Sequence, residues 1–400
     1  MSQIRPMPEH PEQRLPREAY IDPDWLERER AHLFAESWAF AGVVGDYRKP
    51  GDYRTVRVGH YSLLVMCDRN GDLRAWHNLC RHRGTELLEG AGNAGSSVVC
   101  PYHYWSYDLE GRLKGVPRQA QCFPGLDKDK VRLRPAALAI FKGLVFVHPR
   151  PEPAEPFETW LAGLEDVAWP HDLTSSDLRE FESEVVYEMK CNWKVFFENA
   201  IDGYHLAYLH KNTLGGPLPE KNVWDAHGRH LVWYSTERKG VKHRIPEYLE
   251  GEIGKYRPKT IKGAEKPGYG GVYMLFPTTI VTPSPYSFTV SVLEPVDADT
   301  TLLRARSWSP KGFRAYREKL SDIPGYDKAS GRVHSWNWTQ HPLETGDFQT
   351  EDVWICEKMQ RALHSPAYSV GGLARGAGGE APLDFFQSLV REAVDPAGRE

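Results

Sequence analysis

Two short loops constrain this chain more than any other feature. The first reads Cys80-Arg-His82-Arg-Gly84, and the second, after an interval of 17 residues (83–99), reads Cys100-Pro-Tyr-His103-Tyr-Trp105. Each loop supplies one thiol and one imidazole, together a metal-ligand set. A Cys2His2 zinc site is the obvious rival, but such sites pair like with like, in Cys-x2–4-Cys and His-x3–5-His blocks. Here both loops are mixed. Cys80 and Cys100 can then share one metal while His82 and His103 share a second.

That division is the Rieske [2Fe–2S] arrangement. Two neutral imidazoles in place of two thiolates raise the reduction potential, which suits a cluster fed by a ferredoxin or flavin donor. Trp105-Ser106-Tyr107 and Gly111 match the usual continuation of the second loop. The remaining cysteines (67, 122, 191 and 356) lack ligand spacing and read as core or surface thiols. In a large chain without a signal peptide, scattered cysteines argue against disulfides.

A second constellation lies further on. Cys191 to His210, CNWKVFFENAIDGYHLAYLH, sets Asp202, His205 and His210 in an apolar, aromatic segment. Asp202 and His205 are three apart, neighbours on one face of a helix. His205 and His210 are five apart, about 140° around a regular helix. They converge only if the helix ends or distorts between them, and Gly203 is one residue that could loosen it. Buried ionisable groups are costly unless paired or metal-bound. Two histidines with a later acid make the facial triad that holds non-haem Fe(II) and leaves positions open; core histidines bonded to backbone are the alternative.

Composition sets the remaining bounds. A chain of 400 residues has room for two domains. Its net charge of −4, with acids and bases interspersed, advertises no nucleic acid partner. Thirteen Trp and nineteen Tyr suit an aromatic-lined cavity or an ordinary core alike. The first twenty residues are polar and proline-rich, and no run approaches the roughly 20 apolar residues of a membrane span. A cytoplasmic protein is expected.

Along the chain, residues 1 to about 18 read as a flexible arm, and Asp22–Trp38 as an amphipathic helix with Pro23 in its first turn. Short strands follow at Tyr53–Val58, Tyr61–Cys67 and Leu73–Leu79, with Asn70-Gly71 as a hairpin turn, and again at Phe141–His148. PRPEPAEP (149–156) marks a boundary. Further strands are expected at Phe181–Lys190, Leu231–Thr236, Val272–Phe276, Thr279–Thr282, Tyr286–Glu294 and Thr301–Trp308, the last two joined across Asp297–Thr300. Helices are expected at Thr350–Leu363 and Leu383–Val394. The result is α+β: a small all-β unit ahead of a larger domain of antiparallel strands with helices. The expected domains are 1–39 (arm and helix packing on the catalytic domain), 40–155 (Rieske) and 156–400 (catalytic). Gly376–Ala381 matches a dinucleotide fingerprint by letters only, without the strand or length a βαβ unit needs, and reads as a loop.

With both constellations in view, the chain resembles the catalytic (α) subunit of the Rieske non-haem iron oxygenases, the ring-hydroxylating family. The resemblance covers about residues 20–395 and rests on CRHRG, CPYHYWSYDLEG and NWKVFFENAIDGYH…H. It implies a helix-grip catalytic domain, a sheet curling round a long helix. It implies Cys80, His82, Cys100 and His103 as [2Fe–2S] ligands and His205 and His210 as Fe(II) ligands. The third Fe(II) ligand falls in a helix resembling E-D-x4-E-x2-Q-R-x-L, here Glu351 to Leu363; that places it at Asp352, with Glu351 as the fallback. Asp202 would bridge His205 and His103 of a neighbouring subunit, which requires a ring of subunits, a homotrimer or a hexamer with a small β subunit. Glu198, Asn199, Leu206 and Phe348 are pocket candidates. Electrons from NAD(P)H would arrive through a separate ferredoxin or flavin reductase, with O2 as co-substrate. The substrate reads as an organic, aromatic compound. Oxidative demethylation of a quaternary amine or methoxy-aromatic is the alternative, and a Rieske electron carrier without catalytic iron is the reading from another class.

Overall fold

The structure, a computed structural model, describes residues 4–166, 178–180, 184–213, 222–235, 271–283, 288–310, 319–376 and 379–395. Residues 181–183 and 286–287 of two expected strands, Thr236, and residues 377–378 of the glycine-rich loop lie outside these. The chain divides into one unit of Arg30–Trp160 and a second made of Met1–Glu29 with Leu161–Glu400.

The smaller unit is built from short antiparallel sheets. One has the order Leu73–His77, Tyr61–Cys67, Asp52–Val58, Ala91–Asn93. The run Leu63-Leu64-Val65-Met66 is continuous rather than alternating because this strand is covered on both faces. Leu63, Val65 and Cys67 enter one core, with Ala75, Val145 and Val147. Leu64 and Met66 enter another, with Trp76, Leu113, Leu133 and the two cysteines Cys80 and Cys100. Hairpin pairing Ala137–Phe141 with Leu144–His148, continued by Ala39–Val43, closes the unit. The expected single strand at 141–148 is thus the second arm of a hairpin. A three-stranded sheet, Val98–Val99, Ser106–Tyr107 and Leu113–Gly115, carries the second loop.

The larger unit holds an eleven-stranded sheet. Its long central hairpin, Phe288–Asp297 with Thr300–Pro310, turns across the expected residues. All its described pairings are antiparallel except Val185–Met189 with Arg332–His334. Four helices matter for the site: α1 (Pro23–His32, of which Pro23–Glu29 belong to this unit), α2 (Trp193–Ile201), α3 (Phe348–Leu363) and α4 (Ala381–Val394). α2 is buried around nearly all of its circumference, Lys194 and Glu198 included, so it is a core helix rather than a surface one. Phe386 of α4 stacks on Phe197 of α2 at 4.4 Å and meets Trp193 edge-on at 5.7 Å.

The start of α2 is fixed from three directions. The Asn192 side chain caps it, accepting from Lys194 N at 3.1 Å. Glu357 and Gln360 of α3 accept from the backbone N–H groups of Lys190 (3.0 Å) and Asn192 (3.1 Å). Thr301, from the central hairpin, donates to Cys191 O at 2.8 Å. The Glu-x2-Gln spacing on α3 is therefore an anchor for α2.

Residues 12–17 are not a free arm. Glu12 N donates to Asp384 at 2.6 Å, Arg14 N to Gln387 at 2.7 Å, and Leu15 is buried at 3% exposure. Its proline-rich composition hides this because the partners, Asp384 and Gln387 on α4, lie some 370 residues away. Helix α1 is shorter than expected: it stops at His32, and a 3-10 turn, Phe34–Glu36, follows.

Candidate active site

The two cluster loops share one backbone design. In the first, Cys80 N donates to Thr85 O and Gly84 N to Cys80 O; in the second, Cys100 N donates to Trp105 O and Tyr104 N to Cys100 O. Both need a left-handed residue at the fourth step, supplied by Gly84 (φ 75°) and by Tyr104 (φ 59°). A tyrosine in that conformation carries strain of the kind found at functional loops. Asn78 clamps the first loop, donating to Ser62 Oγ and Leu88 O and accepting from the N–H groups of Leu87 and Leu88. Gly111 is required for a different reason: a Cβ there would lie 2.8 Å from Trp76 Nε1.

Inside this frame Cys80 and Cys100 are buried, and the rings of His82 and His103 meet at 4.6 Å. Trp105 stacks on His82 at 4.9 Å. Tyr107 OH accepts from Arg81 N at 2.9 Å and so donates to Cys80 Sγ at 3.4 Å. The His82 Nδ1 atom is buried without a hydrogen-bond partner, a cost that a bound metal would remove. Among the described residues, these four are not gathered round a single point, as a zinc ion would require. A two-iron cluster keeps its thiolate and imidazole ends apart, and the donor set fits it.

In the larger unit, α2 ends at Ile201 and Asp202 leaves it in an extended conformation (φ −79°, ψ 108°). The chain then makes a 3-10 turn, His205–Ala207. Asp202 and His205 are therefore not helical neighbours, yet they still meet, His205 Nδ1 lying 3.2 Å from Asp202 Oδ2. Tyr204 N donates to the other oxygen of Asp202 at 2.6 Å. The helix ending ahead of His205 lets the two imidazoles converge, with Nε2 atoms 3.1 Å apart.

Asp352 Oδ1, from the first turns of α3, completes the group at 2.9 Å from His210 Nε2 and 3.6 Å from His205 Nε2. Among the described residues this is the one set of three Cys, His, Asp or Glu whose donor atoms lie within 4.8 Å. An ion with bonds of about 2.1 Å and right angles between them has ligand edges of about 3.0 Å. The observed triangle is close to that, so the residues fit a facial triad. Facing imidazole lone pairs at this separation also repel unless a cation lies between them.

Glu351, the fallback ligand, does something else. Its carboxylate accepts from Thr213 Oγ1 at 2.7 Å and lies 2.6 Å from His210 Nδ1, on the side of the ring away from Asp352. It is fully buried at 0% exposure, rather than part of a solvated helix start. It fixes the tautomer and direction of His210, leaving Nε2 toward the triad. Burial works to lower the His210 pKa, but Asp352 and Glu351 outweigh it and hold the imidazole above its ordinary value.

The pocket candidates scatter. Asn199 donates to Asp352 Oδ1 at 2.8 Å and so positions the oxygen that faces the two imidazoles. The Glu198 carboxylate is taken up by Tyr20 OH (2.6 Å) and Gln387 Nε2 (3.0 Å), in the core among α2, α4 and the N-terminal segment. Phe348 meets His210 edge-on at 6.2 Å and is exposed; Leu206 is half-buried. Glu380, ahead of α4, was not a sequence candidate; burial raises its pKa, and its field is felt with those of Asp202 and His205.

Residues 37–137 match the Rieske [2Fe–2S] domain, and residues 176–396 match the ring hydroxylating alpha subunit (catalytic domain). The carnitine monooxygenase oxygenase subunit of Escherichia coli K12 is 28% identical over 363 residues, covering 88% of this chain and 85% of its own. The chlorobenzene dioxygenase subunit alpha of a Cupriavidus species is 34% identical over 235 residues, 57% of this chain and 49% of its own. A crystal structure of a quaternary ammonium Rieske monooxygenase in complex with L-carnitine superposes with a TM-score of 0.74 at 23% identity, covering 98% of this chain and all of the other. The chain belongs to the ring-hydroxylating alpha-subunit family and is a terminal Rieske oxygenase, with a [2Fe–2S] domain ahead of a catalytic domain that binds mononuclear iron.

Proposed function

We propose that this oxygenase acts on a quaternary ammonium compound, with Cys80, His82, Cys100 and His103 holding the cluster and His205, His210 and Asp352 holding the iron. The observation that carries the ligand reading is the triangle of His205, His210 and Asp352 donor atoms. When bound, the iron supplies the centre for oxygen chemistry and the cluster supplies electrons. The chain's own residues do the positioning. Glu351 and Asp202 each hold one imidazole by Nδ1, and Asn199 holds Asp352. Asp202 is only partly buried and is free to accept from His103 of a neighbouring subunit, which makes a ring of subunits, a homotrimer, part of the proposal.

The substrate class rests on length of match and on charge. The carnitine enzyme aligns over 85% of its length, the chlorobenzene enzyme over 49%. Asp202, Glu351 and Asp352 contact the two imidazoles and Glu380 interacts with Asp202 and His205 through its field, an acidic excess over the two positive charges of a bound Fe(II) that favours a cation over an anionic aromatic. Exposed Tyr204 and Tyr208, 5.5 Å apart, and Phe348 offer ring faces of the kind that bind quaternary nitrogen. The aromatic-substrate reading is supported by the partial-length matches to the chlorobenzene enzyme, 34% identical over the matched part, and to an anthranilate 1,2-dioxygenase large subunit, 28% identical over 221 residues.

The test is substrate-dependent oxygen uptake with a surrogate ferredoxin and reductase, comparing carnitine, glycine betaine and choline with chlorobenzene and anthranilate. Uptake with a quaternary amine alone is expected; uptake with the aromatics alone would reverse the assignment. Asp202→Ala should lose donor-driven turnover even with the cluster intact and Fe(II) supplied at saturation, and normal turnover would remove the bridging role.

A further inference from the structure

The segment from Arg112 to Arg134 carries seven cations (Arg112, Lys114, Arg118, Lys128, Lys130, Arg132, Arg134) against two acids (Asp127, Asp129), in a chain whose net charge is −4. Five of the seven fall on one surface. Arg112 and Arg132 stand directly opposite each other in an antiparallel bridge, held by Leu113 N to Val131 O (3.0 Å) and Leu133 N to Gly111 O (2.8 Å). Side chains alternate along this ladder. Leu113 and Leu133 point inward and are buried, with Val131 packed beside them, while Arg112, Lys114, Lys130, Arg132 and Arg134 are all exposed. Like charges directly across a ladder are destabilising. Only Lys130 has a partner among the described ion pairs, Asp127 at 3.3 Å. Such a surface is costly to the free protein and is relieved by an acidic partner.

What lies beneath identifies the partner. Leu113 and Leu133 belong to the core that contains Cys80 and Cys100, so one strand layer separates the cations from the cluster residues. His82, half-buried, is stacked on Trp105 of the same core and lies edge-on to Phe123. The exposed rings of Tyr102 and Tyr104 flank His103 in the second loop. We infer that the ladder face of Arg112, Lys114, Lys130, Arg132 and Arg134 docks an acidic iron–sulfur or flavin electron-donor protein. This rests on the oxygenase reading above, in which electrons come from a separate protein. On each encounter one electron leaves the donor, which is oxidised by one unit, and reduces the cluster by one; no bond is made or broken.

The probe is a plant-type [2Fe–2S] ferredoxin, an acidic protein. Its Kd for the holoprotein is measured by calorimetry across ionic strength, alongside anaerobic stopped-flow reduction of the cluster. Binding to the unaltered protein should weaken steeply with salt. R112E/R132E should weaken binding at low salt by tenfold or more and flatten the salt dependence, with the reduction rate falling in step. The control R69E, an exposed cation on a hairpin turn of the same unit, should leave both unchanged. R112Q/R132Q serves if the reversal folds poorly, with a smaller loss in the same direction. Several results would overturn the inference: no ferredoxin binding at low salt, salt-indifferent binding, unaltered kinetics in R112E/R132E, or a change in that variant confined to subunit assembly or to nucleic acid retention. A protein that lacks the oxidised Rieske visible spectrum as isolated, or whose spectrum dithionite does not bleach, fails the oxygenase reading instead.

Discussion

The smallest decisive detail is the pair of adjacent acids at the start of α3. Successive helical residues point about 100° apart, so Glu351 and Asp352 reach opposite nitrogens of His210. Asp352 comes to Nε2 and Glu351 to Nδ1. By resemblance the ligand is Asp352, with Glu351 as the fallback. On the proposed ligand set, Asp352 with the two imidazoles, the buried Glu351 is a positioning residue. Glu351→Gln should lower iron affinity 10- to 100-fold, the usual cost of losing a carboxylate behind a metal-bound imidazole. Titration of the apoprotein with Fe(II) would read this, while the cluster spectrum stays unchanged. Unaltered affinity would show that His210 needs no such support.

At the level of elements, α2 carries an unusual load of buried charge. Lys194 has no exposure and pairs with Glu29 of α1 at 2.7 Å, while Trp193 Nε1 donates to the other Glu29 oxygen, also at 2.7 Å. One turn on, burial pushes the Glu198 carboxyl up to about 7, although Tyr20, Gln387 and Lys194 pull it down and Glu380 adds to the rise. A carboxyl raised from 4.5 holds its proton longer in the folded chain than in the unfolded one. Stability therefore falls as pH rises from about 4.5 through about 7 and is level above that. Glu198→Gln keeps an oxygen for Tyr20 and Gln387 and should flatten this fall, stabilising the protein at pH 8 by on the order of 1–3 kcal/mol. Thermal melts of both forms between pH 5 and 8 would show it; parallel curves would refute it. This network was not legible in the sequence. Glu198 reads there as a pocket residue because it lies one turn before Asp202, and only the fold brings Tyr20 and Gln387 to it. The C-terminal end of α2 was partly legible: the five-residue spacing of His205 and His210 asks for an end or distortion between them, whereas the helix already stops at Ile201.

Across the whole molecule, the two Cys-His loops and the Asp202–His210 run were legible as candidate ligand sets because ligand chemistry fixes residue type and spacing locally, whereas Asp352, far downstream, came only from the family resemblance. The strands Tyr61–Cys67 and Phe288–Asp297 were legible because burial imposes runs and alternation. The docked segment 12–17 and the role of Glu357 and Gln360 as anchors were not, because their partners are distant in sequence. The cation ladder also escaped a reading by net charge, since its sign is opposite to that of the chain. Among the described residues no helix is long and apolar enough to cross a membrane. What unites the two units is the claim that each holds its own iron centre with its own ligands. The most direct test is iron and acid-labile sulfide content per chain in Asp352→Ala beside the unaltered protein. About three irons and two sulfides should become about two irons and two sulfides, with the visible spectrum intact. Three irons retained, or loss of the cluster colour with the third iron, would contradict the account.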